Sequence, residues 1–147
     1  MNFNKITDTL TVSPQIHPDD MAAIKAAGFK TIVCNRPDGE TEDQTSFAQI
    51  KAAATAEGLV AYNIPVTPQQ ISDEDVAKFG AALSQGPLPV LAYCRTGTRS
   101  AMLWAFHGAG GRSQSDILAA TLAAGYDLTG VADRIANCGT AQTLATG

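Results

Sequence analysis

Basic residues are scarce in this chain: ten Lys and Arg stand against fourteen Asp and Glu, giving a formal charge of -4. A surface that holds nucleic acid or an anionic membrane needs clustered Lys and Arg, and here they are scattered, so neither is expected as a partner. Histidine is scarcer still. His17 and His107 lie far apart with no HxH or HExxH context, and no two cysteines have zinc-ligand spacing, so neither a metal nor a cofactor is expected. The three cysteines, Cys34, Cys94 and Cys138, form an odd, widely spaced set that suits reduced thiols better than a disulfide framework. Long apolar runs are also missing. Nowhere do about 18 uncharged apolar residues follow one another, and "MNFNKITDTLTVSPQ" has no basic start leading into an apolar stretch. Export and membrane insertion are not expected, and a cytoplasmic location is the simplest reading.

What is present is a chain of 147 residues with 45% hydrophobic content, enough for one globular domain over 1–147 with a loose tail at 139–147. "ITDTLTVS" (6–13) alternates as a half-buried strand does, and Pro14 ends it. "HPDDMAAIKAAG" predicts a helix with Pro18 in its first turn and Gly28 as its stop. "KTIVCN" is short, β-branched and apolar, as a strand buried on both faces should be. The spacing of Phe47, Ile50 and Ala54 predicts a helix over 42–57, and "LVAYNIPV" a third strand. Ser72 with Asp75 marks the start of a helix through Ser84, and "LPVLAY" a fourth strand. Helices over 100–108, 115–124 (capped by Ser115) and about 128–137 complete the chain. The alternation predicts an α/β fold in three layers, with a mostly parallel central sheet of about four or five strands between helices.

The stretch that carries chemistry is "PVLAYCRTGTRSAMLWAF" (89–106). Cys94 ends the fourth strand, where open α/β sheets place their ligands. Arg95, Thr96, Gly97 and Thr98 separate it from Arg99, and a helix follows at once. Gly97 permits a tight turn in which backbone N–H groups point inward, and the helix N-terminus adds further donors to the same concavity. Such a cradle holds an anion, and its dipoles favour thiolate over thiol, making Cys94 the expected nucleophile. Arg99 can grip two oxygens of an oxyanion at once, with Arg95 as a second cation, and Ser100 can donate to the sulfur. A buried structural cysteine is the bland alternative, and it leaves the glycine turn between two arginines unexplained.

The phrases "TVSPQI", "GFKTIVCNRPDGE", "AYNIPV" and "VLAYCRTGTRS" together resemble the phosphatase-like domain of beta-lactamase-hydrolase-like proteins over about residues 5 to 135. The resemblance implies a cysteine-phosphatase-like fold. It leaves the reaction open. Cysteine phosphatases carry five residues between Cys and Arg, whereas four stand here, a spacing like that of rhodanese sulfurtransferases. An Asp general acid is expected shortly after "AYNIPV", where Thr67 and Pro68 stand instead, leaving Asp73 and Asp75 on the next helix as candidates. Tyr93 replaces the histidine that usually precedes the cysteine. These departures favour sulfur transfer through a Cys94 persulfide, with thiosulfate or a persulfide as donor and a thiol as acceptor. Phosphate-ester hydrolysis through a phosphocysteine is the alternative, and an inactive anion-binding module the third reading. The family also implies a sulfur dioxygenase as a possible separate partner. Arg36 and Asp38 either contact substrate at the cradle's mouth or form an ion-paired turn. Cys34, on the strand expected beside that of Cys94, either protects it as a disulfide or is a small core residue.

Overall fold

A computed structural model describes residues 3–109 and 111–136, so Cys138 and the tail expected at 139–147 lie outside the described residues. Five strands form one sheet: β1 (Asn4–Lys5), β2 (Leu10–Ser13), β3 (Thr31–Cys34), β4 (Val60–Asn63) and β5 (Val90–Tyr93), in the order β1-β2-β5-β3-β4. β1 runs antiparallel to β2, and every other pairing is parallel. β3 and β5 lie at the centre and are buried at every position, which is why they read as unbroken apolar runs. β4 is an edge strand and is partly exposed.

Helices cover both faces. On one face Ile32, Cys34, Leu91 and Tyr93 pack with Met21 and Ile24 of α1 (Met21–Ala26) and Ile50 of α2 (Phe47–Ala56). On the other, Val33, Val90 and Ala92 meet α3 (Asp73–Gln85), α4 (Thr98–Gly108) and α5 (Gln114–Ala123) through Phe79, Leu103 and Ile117. A methyl at Gly80 would sit 2.4 Å from Cε1 of His107, so the close approach of α3 to α4 depends on glycine there.

Several boundaries differ from the sequence reading. The first strand is split: Ile6 and Thr7 N–H both donate to the Leu10 carbonyl, making a turn between β1 and β2. Ser113 rather than Ser115 caps α5, its hydroxyl accepting from Asp116 N at 3.1 Å. The final helix opens as a 3-10 turn, Thr129–Val131. Most consequential is α2, which begins at Phe47 and not at Glu42. Ser46 and Gln49 form a reciprocal capping box, and Asp38 Oδ1 accepts from Phe47 N at 2.8 Å. With those donors satisfied, the helix has a defined start, and residues 37–46 are free to form a loop at the carboxyl end of β3. Gln44 braces that loop, accepting from Glu40 N and donating to the Pro37 carbonyl.

Candidate active site

The cradle forms where β5 hands over to α4. Cys94 is fully buried, and its sulfur accepts a hydrogen bond from the Gly97 amide at 3.0 Å. Gly97 makes this possible with φ +98°, a left-handed conformation that costs other residues energy, and it caps α4 from that position. The Gln15 amide tethers the loop to the end of β2 through the Arg95 carbonyl. The Arg95 side chain is exposed. Thr96 and Thr98 share a hydroxyl–hydroxyl hydrogen bond at the rim.

Arg99 is buried, and its guanidinium is already gripped. Nη1 and Nη2 donate to the two carboxylate oxygens of Glu40 at 2.8 and 2.9 Å, and Nη1 also donates to the Val66 carbonyl. Arg36, likewise buried, donates from Nε to Glu40 Oε1 and from Nη1 to Gln15 Oε1. One carboxylate thus fixes two arginines, and the pair of cations outnumbers it. The hydrogen bond from Arg99, then that from Arg36, holds the Glu40 carboxyl below the usual carboxylate range. The same bond from Glu40, with the nearby Cys94 sulfur adding to it, pushes the Arg99 guanidinium up.

Ser100 does not serve the sulfur as expected. Its single hydroxyl hydrogen goes to Asn35 Oδ1 at 2.7 Å. Asn35 is fully buried on the run out of β3, so its Oδ1 needs that donor, while its Nδ2 donates to the Ile64 carbonyl. The expected carboxyls are also engaged elsewhere. Asp38 caps α2, Asp75 accepts from Ser72 N in the capping box of α3, and Asp73 is almost wholly exposed near Arg134. Arg36 reaches the cradle indirectly, through Glu40 and through Gln15, whose amide holds the Arg95 carbonyl. Cys34 shares its face of the sheet with Tyr93, whereas strand alternation from Ala92 sends Cys94 toward the opposite face. Its thiol donates to the Arg36 carbonyl at 3.3 Å, and burial pushes that thiol up. These positions suit a core residue better than a disulfide partner.

Glu40, Asn35, Gln15 and Tyr126 are the residues that sequence reasoning missed. The four-residue step from Arg36 to Glu40 in "RPDGE" is a weak signal for an ion pair, masked by the helix expected from residue 42. Replacing Glu40 tests its part. Its depressed carboxyl contributes stability above the unfolded value of about 4.3, and that contribution is lost as pH falls through the lower folded value. Glu40→Gln is therefore expected to cost about 1 kcal/mol at neutral pH in urea denaturation, solvent screening holding it to the low end of the range for charged hydrogen bonds. The gap from wild type should close as pH falls below the ordinary carboxylate range.

Three comparisons bear on this geometry. The family described as "Beta-lactamase hydrolase-like protein, phosphatase-like domain" matches residues 2–111. The Beta-lactamase hydrolase-like protein of Agrobacterium fabrum is 36% identical over 130 residues, covering 87% of this chain and 30% of that one. This chain therefore spans under a third of the length of that curated relative. A candidate phosphatase of Neisseria meningitidis, known from a crystal structure, is 41% identical with a TM-score of 0.86, covering 94% of this chain and 99% of that one. TpbA of P. aeruginosa, solved as a cysteine-to-serine variant in complex with phosphotyrosine, is 18% identical with a TM-score of 0.67 over 97% and 90% of the two chains, a likeness of fold alone. Among the described residues no helix is long and apolar enough to cross a membrane.

Proposed function

The chain belongs to the family of phosphatase-like domains of beta-lactamase hydrolase-like proteins, and from that membership we propose that it is a cysteine-dependent phosphatase acting through Cys94. The observation that carries the reading is the Gly97 amide aimed at the Cys94 sulfur, in a loop that ends on an arginine held in place by Glu40. Cys94 thiolate attacks phosphorus, the bond to the leaving oxygen breaks with its electron pair, and a phosphocysteine forms. Water then attacks phosphorus, releasing inorganic phosphate and restoring the thiolate. Arg99 retains Nε–H and one Nη2 hydrogen beyond its bonds to Glu40 and Val66, and these are the donors for the equatorial oxygens. The Gly97 amide and the rim at Arg95, Thr96 and Thr98 complete the anion site.

The engaged carboxyls limit the substrate. Asp75 and Asp38 are committed to helix caps, Asp73 is exposed, and Glu40 is kept ionised, so none is set to protonate a leaving oxygen. The expected substrates are esters or anhydrides whose leaving group departs as an anion, such as aryl phosphates. The same lack of an acid, with the four-residue Cys–Arg spacing, favours a second reading, rhodanese-type sulfur transfer, for which the structural relatives lend no support. A separate sulfur dioxygenase as partner belongs to that reading only.

A side-by-side assay separates them. Purified protein should hydrolyse a series of aryl phosphates with rates that rise steeply as the leaving phenol becomes more acidic. It should release no thiocyanate from thiosulfate and cyanide. Thiocyanate without phosphate release would establish the sulfur reading instead, and anion binding with neither product would leave only a binding module.

A further inference from the structure

We propose that Tyr126 is a positioning residue for the nucleophile, acting through the single peptide unit that joins Thr96 to Gly97. The proposal rests on Cys94 being the nucleophile. It does not depend on which group Cys94 accepts.

A trans peptide unit is a rigid plate whose C=O and N–H point in opposite directions. Here both ends of one plate are held. The Thr96 carbonyl accepts from the Tyr126 hydroxyl at 3.1 Å, and the Gly97 N–H donates to the Cys94 sulfur at 3.0 Å. Glycine at position 97 makes rotation of this plate sterically cheap. Turned over, it would present a carbonyl oxygen to the sulfur and the incoming anion, and the cradle would repel what it is built to hold. The Tyr126 hydroxyl opposes that rotation.

The tyrosine is well fixed for the task. It packs in the cluster on the α3–α4 face, its amide donates to the Thr121 carbonyl at 2.8 Å, and its hydroxyl accepts from Asn4 Nδ2 of β1 at 2.9 Å. With that lone pair engaged, the hydroxyl hydrogen is directed to Thr96. Burial pushes the phenol up, so it remains a donor through the neutral range. The fit also explains the glycine: a methyl at position 97 would lie 2.1 Å from the Tyr126 hydroxyl oxygen. Tyr126 stands beyond residues 2–111, the part matched by the family, so that match assigns it no role.

Tyr126→Phe keeps the ring and removes the hydroxyl, and with it the bonds to Thr96 and Asn4. The charged and titratable groups around Cys94, namely Arg99 and Arg95 on the loop and α4, Cys34 on β3 and Glu40 beyond Arg99, are all retained. Iodoacetamide labelling of Cys94, located by mass spectrometry, should be about tenfold slower than wild type near pH 6. The deficit should be smaller near pH 9.5, where alkaline solution favours thiolate in both proteins. kcat on an aryl phosphate should fall by a similar factor near pH 6. Asn4→Ala, which leaves the hydroxyl in place but unaligned, should give a smaller effect of the same form. Labelling that matches wild type at both pH values overturns the proposal, as does a loss of equal size at both, which is what a merely structural defect would produce. If wild type hydrolyses no phosphate while the pH-dependent labelling difference stands, the phosphatase reading falls and the clamp survives.

Discussion

Cys94→Ser is expected to lower phosphate release by at least about a thousandfold while leaving the fold intact. The two side chains differ by one atom, and the buried site can hold either. Their acidities decide the outcome. A serine hydroxyl beside one amide donor stays protonated at neutral pH, because among the described residues no carboxylate or imidazole hydrogen-bonds at that position to remove the proton. Ser100 gives its hydrogen to Asn35, and the charged group that faces the sulfur most directly, Arg99, is a cation. The Gly97 amide and the Arg99 fork remain, so the variant should still bind an aryl phosphate within severalfold of wild type. Single-turnover kinetics and equilibrium binding on the same protein check both halves. Residual turnover within tenfold of wild type would remove Cys94 from the chemistry.

Arg99→Lys is expected to cost about 100- to 1,000-fold in kcat/KM although the charge is conserved. A guanidinium presents several coplanar edges. Here one edge meets both oxygens of Glu40, Nη1 also reaches Val66, and Nε with the second Nη2 hydrogen is left for substrate. An ammonium has three donors on one atom and cannot serve Glu40, the Val66 carbonyl and a phosphoryl group in the same geometry. The loss should appear chiefly in kcat, because the fork matters most when charge builds on the equatorial oxygens. Folding stability should fall as well, by about 1–3 kcal/mol in urea denaturation, because the half-buried Glu40 carboxylate loses its bidentate partner. A lysine variant with full activity would show that Arg99 supports the loop without touching substrate.

Much of this site was legible in the chain itself. The break from an apolar strand to a glycine turn at "AYCRTGTRS" placed Cys94 and Arg99 on either side of an amide-rich loop, because strand and helix periods are local properties of sequence. Local turn chemistry also misled. Phe47, Ile50 and Ala54 share a helical face, but periodicity does not show where the first turn starts, and the capping box at Ser46 left the preceding residues to a loop. The expected roles of Ser100, Asp38 and Asp75 gave way for a similar reason. Each polar side chain met a nearer or buried partner, Asn35 for one and helix N–H groups or caps for the others. The expectation of sulfur transfer came from counting four residues between Cys94 and Arg99, whereas the phosphatase reading draws on family membership and overall fold.

Sequence alone determined the layered α/β architecture, the strand that ends on Cys94 and the conformational freedom of Gly97, since each depends on residue type and the spacing of near neighbours. Only the tertiary structure decided that Glu40 orients Arg99 across 59 residues, that Asn35 takes the Ser100 hydroxyl across 65, and that Tyr126 reaches the cradle from 30 residues away. Those partners come together because the parallel strands align their carboxyl ends at one edge of the sheet, and hydrogen bonds formed there depend on distance in space, which no local pattern encodes.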